Sequence, residues 1–236
     1  FNGRFGVSLG RFLSRILPPK TAYPFIQFLT GVVARQENSK IIQAIRANQS
    51  VISGGCLSNQ QMAQRAHLVL QNTGRSLYDF NHNLNNPQRV LELVEFDPSF
   101  EQWFEYSRVK KQPLIWVAPH LSNFDLMARA LNLRGAQFQV LSFPKPSAAY
   151  RMQNKLRTLP GIEVTPMSIQ ALRQASATLR ANGTVITGVD RPLPDHEAKY
   201  RPVFFGYPAS LPVFHIRLAL KHNLPIQVIT GYRKPD

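Results

Sequence analysis

The hydrophobic pattern divides the chain into a helical first part and an alternating second part. Over residues 4–17, at about 100° per residue, Phe5, Leu9, Phe12, Leu13, Ile16 and Leu17 share one broad arc. Arg4, Arg11 and Arg15 share a narrow opposite arc, and Val7 is the exception. This predicts a basic amphipathic helix, suited either to a membrane interface or to packing on the protein. Pro18 and Pro19 end it, and Thr21–Ala34 then runs without charge. That stretch is shorter than the roughly 20 residues that span a bilayer, so the expectation is monotopic attachment. Further helices are predicted over 36–53, from a Ser58–Gln61 capping box towards Phe80, and over 100–109. Residues 88–95 fit a helix or a strand equally.

From residue 114 the period alternates. Strands are predicted at 114–118, 137–142, 162–164, 184–189 and 225–231. Helices are predicted after Ser122 or Asn123, and at 148–158, 168–180 and 212–222, with a charged loop over 193–200 and a short apolar segment at 203–206. Strands separated by helices imply an α/β fold with a mainly parallel sheet flanked by helices. The expected division is a helical, membrane-associating region over 1–105 and an α/β core over 106–236.

Charge sharpens the picture. The 236 residues carry 28 Lys and Arg against 13 Asp and Glu, a net charge of +15. Such a surface seeks a polyanion. The basic residues are dispersed and no nucleic-acid-binding motif is present, which favours a membrane over nucleic acid. The single cysteine, Cys56, follows Ser53-Gly-Gly and reads as a small packed residue. Neither CxxC nor HExxH occurs, so no metal or bound cofactor is expected.

The chemistry concentrates at the end of the 114–118 strand, where Pro119 and His120 precede Leu121-Ser-Asn-Phe-Asp125. Ligands of open α/β sheets bind at the carboxyl ends of strands. His120 there is suited to general-base work near neutral pH, and Asp125 could orient it. Asp125 could equally complete a helix cap begun by Ser122.

The segment His120–Asp125 resembles the HxxxxD motif of the glycerolipid and lysophospholipid acyltransferase superfamily. With Ala44-Ile-Arg-Ala-Asn48, Thr187-Gly-Val-Asp-Arg191 and Val203-Phe-Phe-Gly-Tyr-Pro-Ala209, the whole chain resembles one branch of it. That branch holds the lipid A late acyltransferases and the phosphatidylinositol mannoside acyltransferases. Many of its members carry Asn where this chain has Pro119, and members run on beyond the last strand, which implies further chain at the C-terminus; the start at Phe1 implies more at the N-terminus.

The resemblance implies transfer of a fatty acyl chain from an acyl thioester, on acyl carrier protein or coenzyme A, to a lipid or glycolipid hydroxyl. A binding or scaffold protein with the same fold is the alternative. His120 and Asp125 become the catalytic pair, with Asp125 holding the imidazole. Arg157, then Arg151, are the basic candidates for the oxyanion. Asn123, Lys145, Asp190 and Arg191 complete the substrate-binding set. The implied partners are membrane lipids, the acceptor and acyl carrier protein, at the cytoplasmic face of the inner membrane.

Overall fold

A computed structural model describes residues 4–194, 198 and 200–234. The side chains of Arg4 and Phe5, parts of the predicted 193–200 loop, and the chain end Pro235-Asp236 lie outside the described residues. The helices are α1 (Arg4–Ile16), α2 (Pro19–Ala34), α3 (Lys40–Ile52), α4 (Asn59–Asn83), α5 (Pro87–Leu93), α6 (Pro98–Lys110), α7 (Phe124–Leu133), α8 (Ala148–Arg157), α9 (Ile169–Arg180) and α10 (Phe214–His222). The strands are β1 (Leu114–Val117), β2 (Phe138–Ser142), β3 (Ile162–Pro166), β4 (Thr184–Thr187), β5 (Val203–Phe204), β6 (Tyr207–Pro208) and β7 (Ile226–Val228). Residues 88–95, open in the sequence, are mostly helical, because Asn86 caps α5 by accepting from the Arg89 N–H and Pro87 starts it.

Two compact units emerge, one mainly Asn83–Pro202 with Pro208–Asp236, the other Ser8–His82 with Val203–Tyr207. The first holds a five-stranded parallel sheet in the order β3-β2-β4-β1-β7. Alternation along the strands loads both faces. Ile115, Leu141 and Val185 point to one side, with Ala171, Ala175 and Leu179 of α9 and Leu218 of α10. Leu114, Trp116, Phe138 and Ile186 point to the other, with Phe104 of α6 and Leu131 of α7. β1 is a short apolar run because water reaches neither of its faces. Val90 of α5 also packs on Leu126 and Ala130 of α7, anchoring the helix that starts at the site.

The second unit is helical. The predicted capping box is present: Gln61 N–H donates to Ser58 Oγ at 3.2 Å, and Ser58 N–H donates to Gln61 Oε1 at 2.9 Å. The C-terminal end of α1 is tied to α4: Tyr78 hydroxyl donates to the Leu17 carbonyl at 2.8 Å, and His82 Nδ1 lies 2.7 Å from the Ser14 carbonyl. The Tyr78 hydroxyl is pushed up to about 12 by burial first, then by Tyr23 and Asp79. His67 reaches the Gln27 carbonyl of α2 at 3.3 Å. Both histidines thus bond to backbone carbonyls of neighbouring helices. Cys56 departs from expectation: it is exposed, because the turn after α3 leaves Gly54 and Gly55 in left-handed conformations at the surface. The 16 residues of α2 rise about 24 Å, and among the described residues no helix is long and apolar enough to cross a membrane.

Ile115 sits wholly buried on β1, an interior strand of the sheet. Ile115→Ala is expected to lower unfolding stability by about 2–5 kcal/mol, measured by urea denaturation.

Candidate active site

The site follows from strand register. β1 and β4 are parallel neighbours with Val117 opposite Thr187. The Ala118 N–H donates to the Thr187 carbonyl at 2.9 Å, the last bond of that ladder. Counting equally far beyond the shared rung on each strand reaches His120 and Asp190. In register, the two therefore arrive at the same place. Asp190 Oδ2 accepts the His120 backbone N–H at 2.8 Å, and Asp190 Oδ1 lies 2.7 Å from His120 Nδ1. A carboxylate only accepts, so Nδ1 carries the proton and Nε2 keeps the lone pair.

Burial pushes the Asp190 carboxyl up, but the hydrogen bonds from the His120 ring and backbone prevail and hold it below its ordinary value. Gly188 makes the close approach possible. A Cβ there would stand 2.6 Å from His120 Cε1, so any larger residue must move the ring.

Asp125 goes elsewhere. Leu121 and a left-handed Ser122, φ 53°, turn the chain after His120. Asn123, not Ser122, then caps α7 by accepting the Leu126 N–H at 3.2 Å. The helix starts at Phe124, and Asp125 in its first turn meets α8. Its Oδ1 accepts from Arg157 Nε at 2.7 Å and its Oδ2 from Arg157 Nη2 at 3.0 Å. Gln153 adds a third donor at 3.3 Å. The expected His120–Asp125 contact is thus replaced by His120–Asp190, because the turn at 121–123 separates the two side chains. Asp125 is not the capping residue either.

Arg157 donates its remaining nitrogen, Nη1, to Asn154 Oδ1 at 3.1 Å. Burial lowers its pKa, but Asp125 outweighs that and raises it above its ordinary value. All three guanidinium nitrogens therefore have protein partners, unlike the open fork expected of an oxyanion stabiliser.

Aromatic rings join the two ion pairs. The His120 ring stands edge-on to Phe124, centroids 4.9 Å apart. Arg157 lies 5.4 Å from the Phe124 centroid and 5.3 Å from that of Tyr150. Arg191 lies 5.0 Å from the other partner, Tyr150, and 4.9 Å from Phe143. Since Arg191 follows Asp190, the contacts close a ring: His120, Phe124, Arg157, Tyr150, Arg191, Asp190. Each cation–π contact contributes on the order of 0.5–2 kcal/mol.

A sequence model of the family described as bacterial lipid A biosynthesis acyltransferase matches residues 5–236. The chain belongs to that family. No curated protein matches the chain. Membership of this acyltransferase family implies a lipid acceptor and an acyl donor.

Against that background the expected residues divide. His120, Asp125, Asn123, Arg157, Asp190 and Arg191 gather around the β1 and β4 ends. Lys145 is exposed in the loop after β2. Arg151 donates to the Pro146 carbonyl at 2.7 Å, which commits it to that loop. Phe124, Phe143, Tyr150 and Gly188 were not singled out from the sequence. Gly188 alone had a visible signal, a glycine inside the predicted 184–189 strand and two residues before Asp190; the rings look like ordinary packing residues.

Gly188→Ala is expected to displace the His120 ring and lower acyl transfer at least tenfold, with little change in unfolding midpoint. Assay of the purified variant beside a thermal melt checks this. Because Asp190 titrates below its ordinary value in the fold, its pairing stabilises the protein at pH above the unfolded carboxylate pKa. That contribution disappears as pH falls through the lowered folded value. Asp190→Asn should therefore flatten the acid side of the stability–pH profile in thermal melts.

Proposed function

We propose that the protein is a membrane-associated acyltransferase that moves a fatty acyl chain from an acyl thioester to a hydroxyl of a lipid A-type acceptor. The observation that carries this reading is the bond of His120 Nδ1 to Asp190, which leaves Nε2 basic at the end of β1. In the step proposed, the acceptor hydroxyl oxygen attacks the thioester carbonyl carbon while Nε2 takes the hydroxyl proton. The tetrahedral intermediate collapses, the C–S bond breaks, and the imidazolium returns the proton to the departing thiolate. The products are the acyl ester and the free thiol. The acceptor supplies the nucleophile, so no enzyme serine is required.

Asp190 holds the tautomer and stabilises the imidazolium, the part an aspartate plays behind a triad histidine. Asp125 and Arg157 are positioning residues, acting on the imidazole through Phe124. Arg191, beside Asp190, is suited to an anionic acceptor group, and Lys145 to a phosphate further out. The donor is an acyl thioester of acyl carrier protein or coenzyme A.

Attachment is proposed through the N-terminal helices at the cytoplasmic face of the inner membrane. Support comes from the net charge of +15 and from the exposed residues of α1. Leu9, Phe12 and Ile16 form an exposed stripe at helical spacing, while Leu13 and Leu17 turn partly inward. Arg11 is half-buried, so the arginine arc does not face outward as a whole. The apolar stripe, more than the arginines, fits the acyl boundary.

His120→Ala is expected to lower turnover about 10²–10⁴-fold in a mass-spectrometric assay of acyl transfer to a lipid A precursor. Asp190→Asn should lower it comparably, and Asp125→Asn less. Wild-type turnover in the His120 variant would defeat the reading. Phe12→Ser with Ile16→Ser should weaken co-sedimentation with anionic vesicles while leaving the melt unchanged. Wild-type binding should itself fall as salt screens the charge attraction.

A further inference from the structure

The apolar segment at 203–206 is a separate two-stranded hairpin, β5 with β6, outside the parallel sheet. Its turn residues, Phe205 and Gly206, have φ of 50° and 82°. Both are left-handed, the conformation of a tight hairpin turn that normally selects Asn, Asp or Gly. Phenylalanine has no local reason to be there, since its Cβ strains this backbone.

Nor is the ring hidden. Val203 is 74% exposed, Phe204 54%, Phe205 53% and Tyr207 63%. The rings of Phe204 and Phe205 stand edge-to-face, centroids 4.7 Å apart, and so support each other rather than a core. The six residues Val203–Pro208 carry no charge. A hairpin tip that costs backbone strain and exposes four large apolar side chains points to an apolar medium that receives it.

We propose that Val203–Tyr207 is a membrane-insertion tip, entering the headgroup–acyl boundary of an anionic bilayer through Phe204 and Phe205, with Tyr207 at the polar level. Tyrosine suits that level because its ring is apolar and its hydroxyl wet. Continuity favours the bilayer over another occupant. The tip belongs to the same compact unit as Ser8–Ile16 of α1 and the whole of α2. Those helices carry the exposed stripes Leu9, Phe12, Ile16 and Phe25, Phe28, Val32, each at helical spacing. The net charge of +15 complements anionic lipid. An acidic carrier protein would be met by cations, and the tip has none. The proposal rests on the membrane attachment proposed above and not on the chemistry of His120.

The test places an environment-sensitive fluorophore on a single thiol at position 205, using Cys56→Ser with Phe205→Cys. A second protein carries it at position 12, using Cys56→Ser with Phe12→Cys. Both are mixed with phosphatidylglycerol–phosphatidylethanolamine vesicles containing spin-labelled lipid. The expected result is a blue shift and quenching at position 205 on vesicle binding. A response at position 12 without one at 205 would overturn the tip while sparing the helix. No co-sedimentation of either protein would overturn the tip and the membrane reading together. Unlabelled Phe204→Ser/Phe205→Ser should keep the wild-type melt and bind vesicles about tenfold or more weakly. Unchanged vesicle binding, or a changed oligomeric state in sedimentation instead, would overturn the proposal.

Discussion

Two hydrogen bonds donated by one histidine to one carboxylate hold the candidate site together. Asp190 grips both the backbone and the ring of His120. The double contact ties the loops after β1 and β4 together and fixes which ring nitrogen is basic. It exists only because Val117 and Thr187 share a rung and the two chains leave the sheet in step. A slip of one residue would turn every side chain to the wrong face. The cores on the two faces of the sheet, around Ile115 and around Trp116, oppose that slip. The burial of the sheet is thus what specifies the chemistry above it.

The second charged pair behaves differently. Asp125 and Arg157 are largely withdrawn from water, with side-chain exposures of 11% and 16%. Burying two charges offsets much of their attraction, so such a pair argues for specificity more than for stability. Its geometry suits that role. The fork on Arg157 ties α8 to the first turn of α7, and its face lies against Phe124, which borders the His120 ring. Losing one partner would leave the other charge buried without its counter-charge, a larger disturbance than the pair's net worth.

The distribution of apolar surface matches a protein whose lipid acceptor lies in a membrane. Exposed apolar stripes on α1 and α2 and the aromatic tip at Val203–Tyr207 occur in one compact unit. The histidine and its carboxylate partner belong to the other. Scattered basic residues add a long-range attraction that salt weakens. On the functions proposed, the first of these units would meet lipid and the second would carry the reaction.

Much of the fold was legible along the chain. The five sheet strands, their mainly parallel direction and the cap at Ser58 depend on local pattern and on side-chain bonds a few residues long. His120 was legible as the candidate base because strand ends in α/β sheets are where ligands meet the chain. Its partner was not. Asp125 is close in sequence, but the left-handed Ser122 and the Asn123 cap direct it to Arg157. Asp190 is 70 residues away and reaches His120 through register alone. The sequence by itself determined the elements, the charge and the residue types able to do the chemistry, because these follow from short-range periodicity and composition. Only the tertiary structure decided which carboxylate serves the histidine, which arginine is already committed and where Gly188 must remain bare. Those choices depend on which strands are neighbours, and no local pattern encodes that.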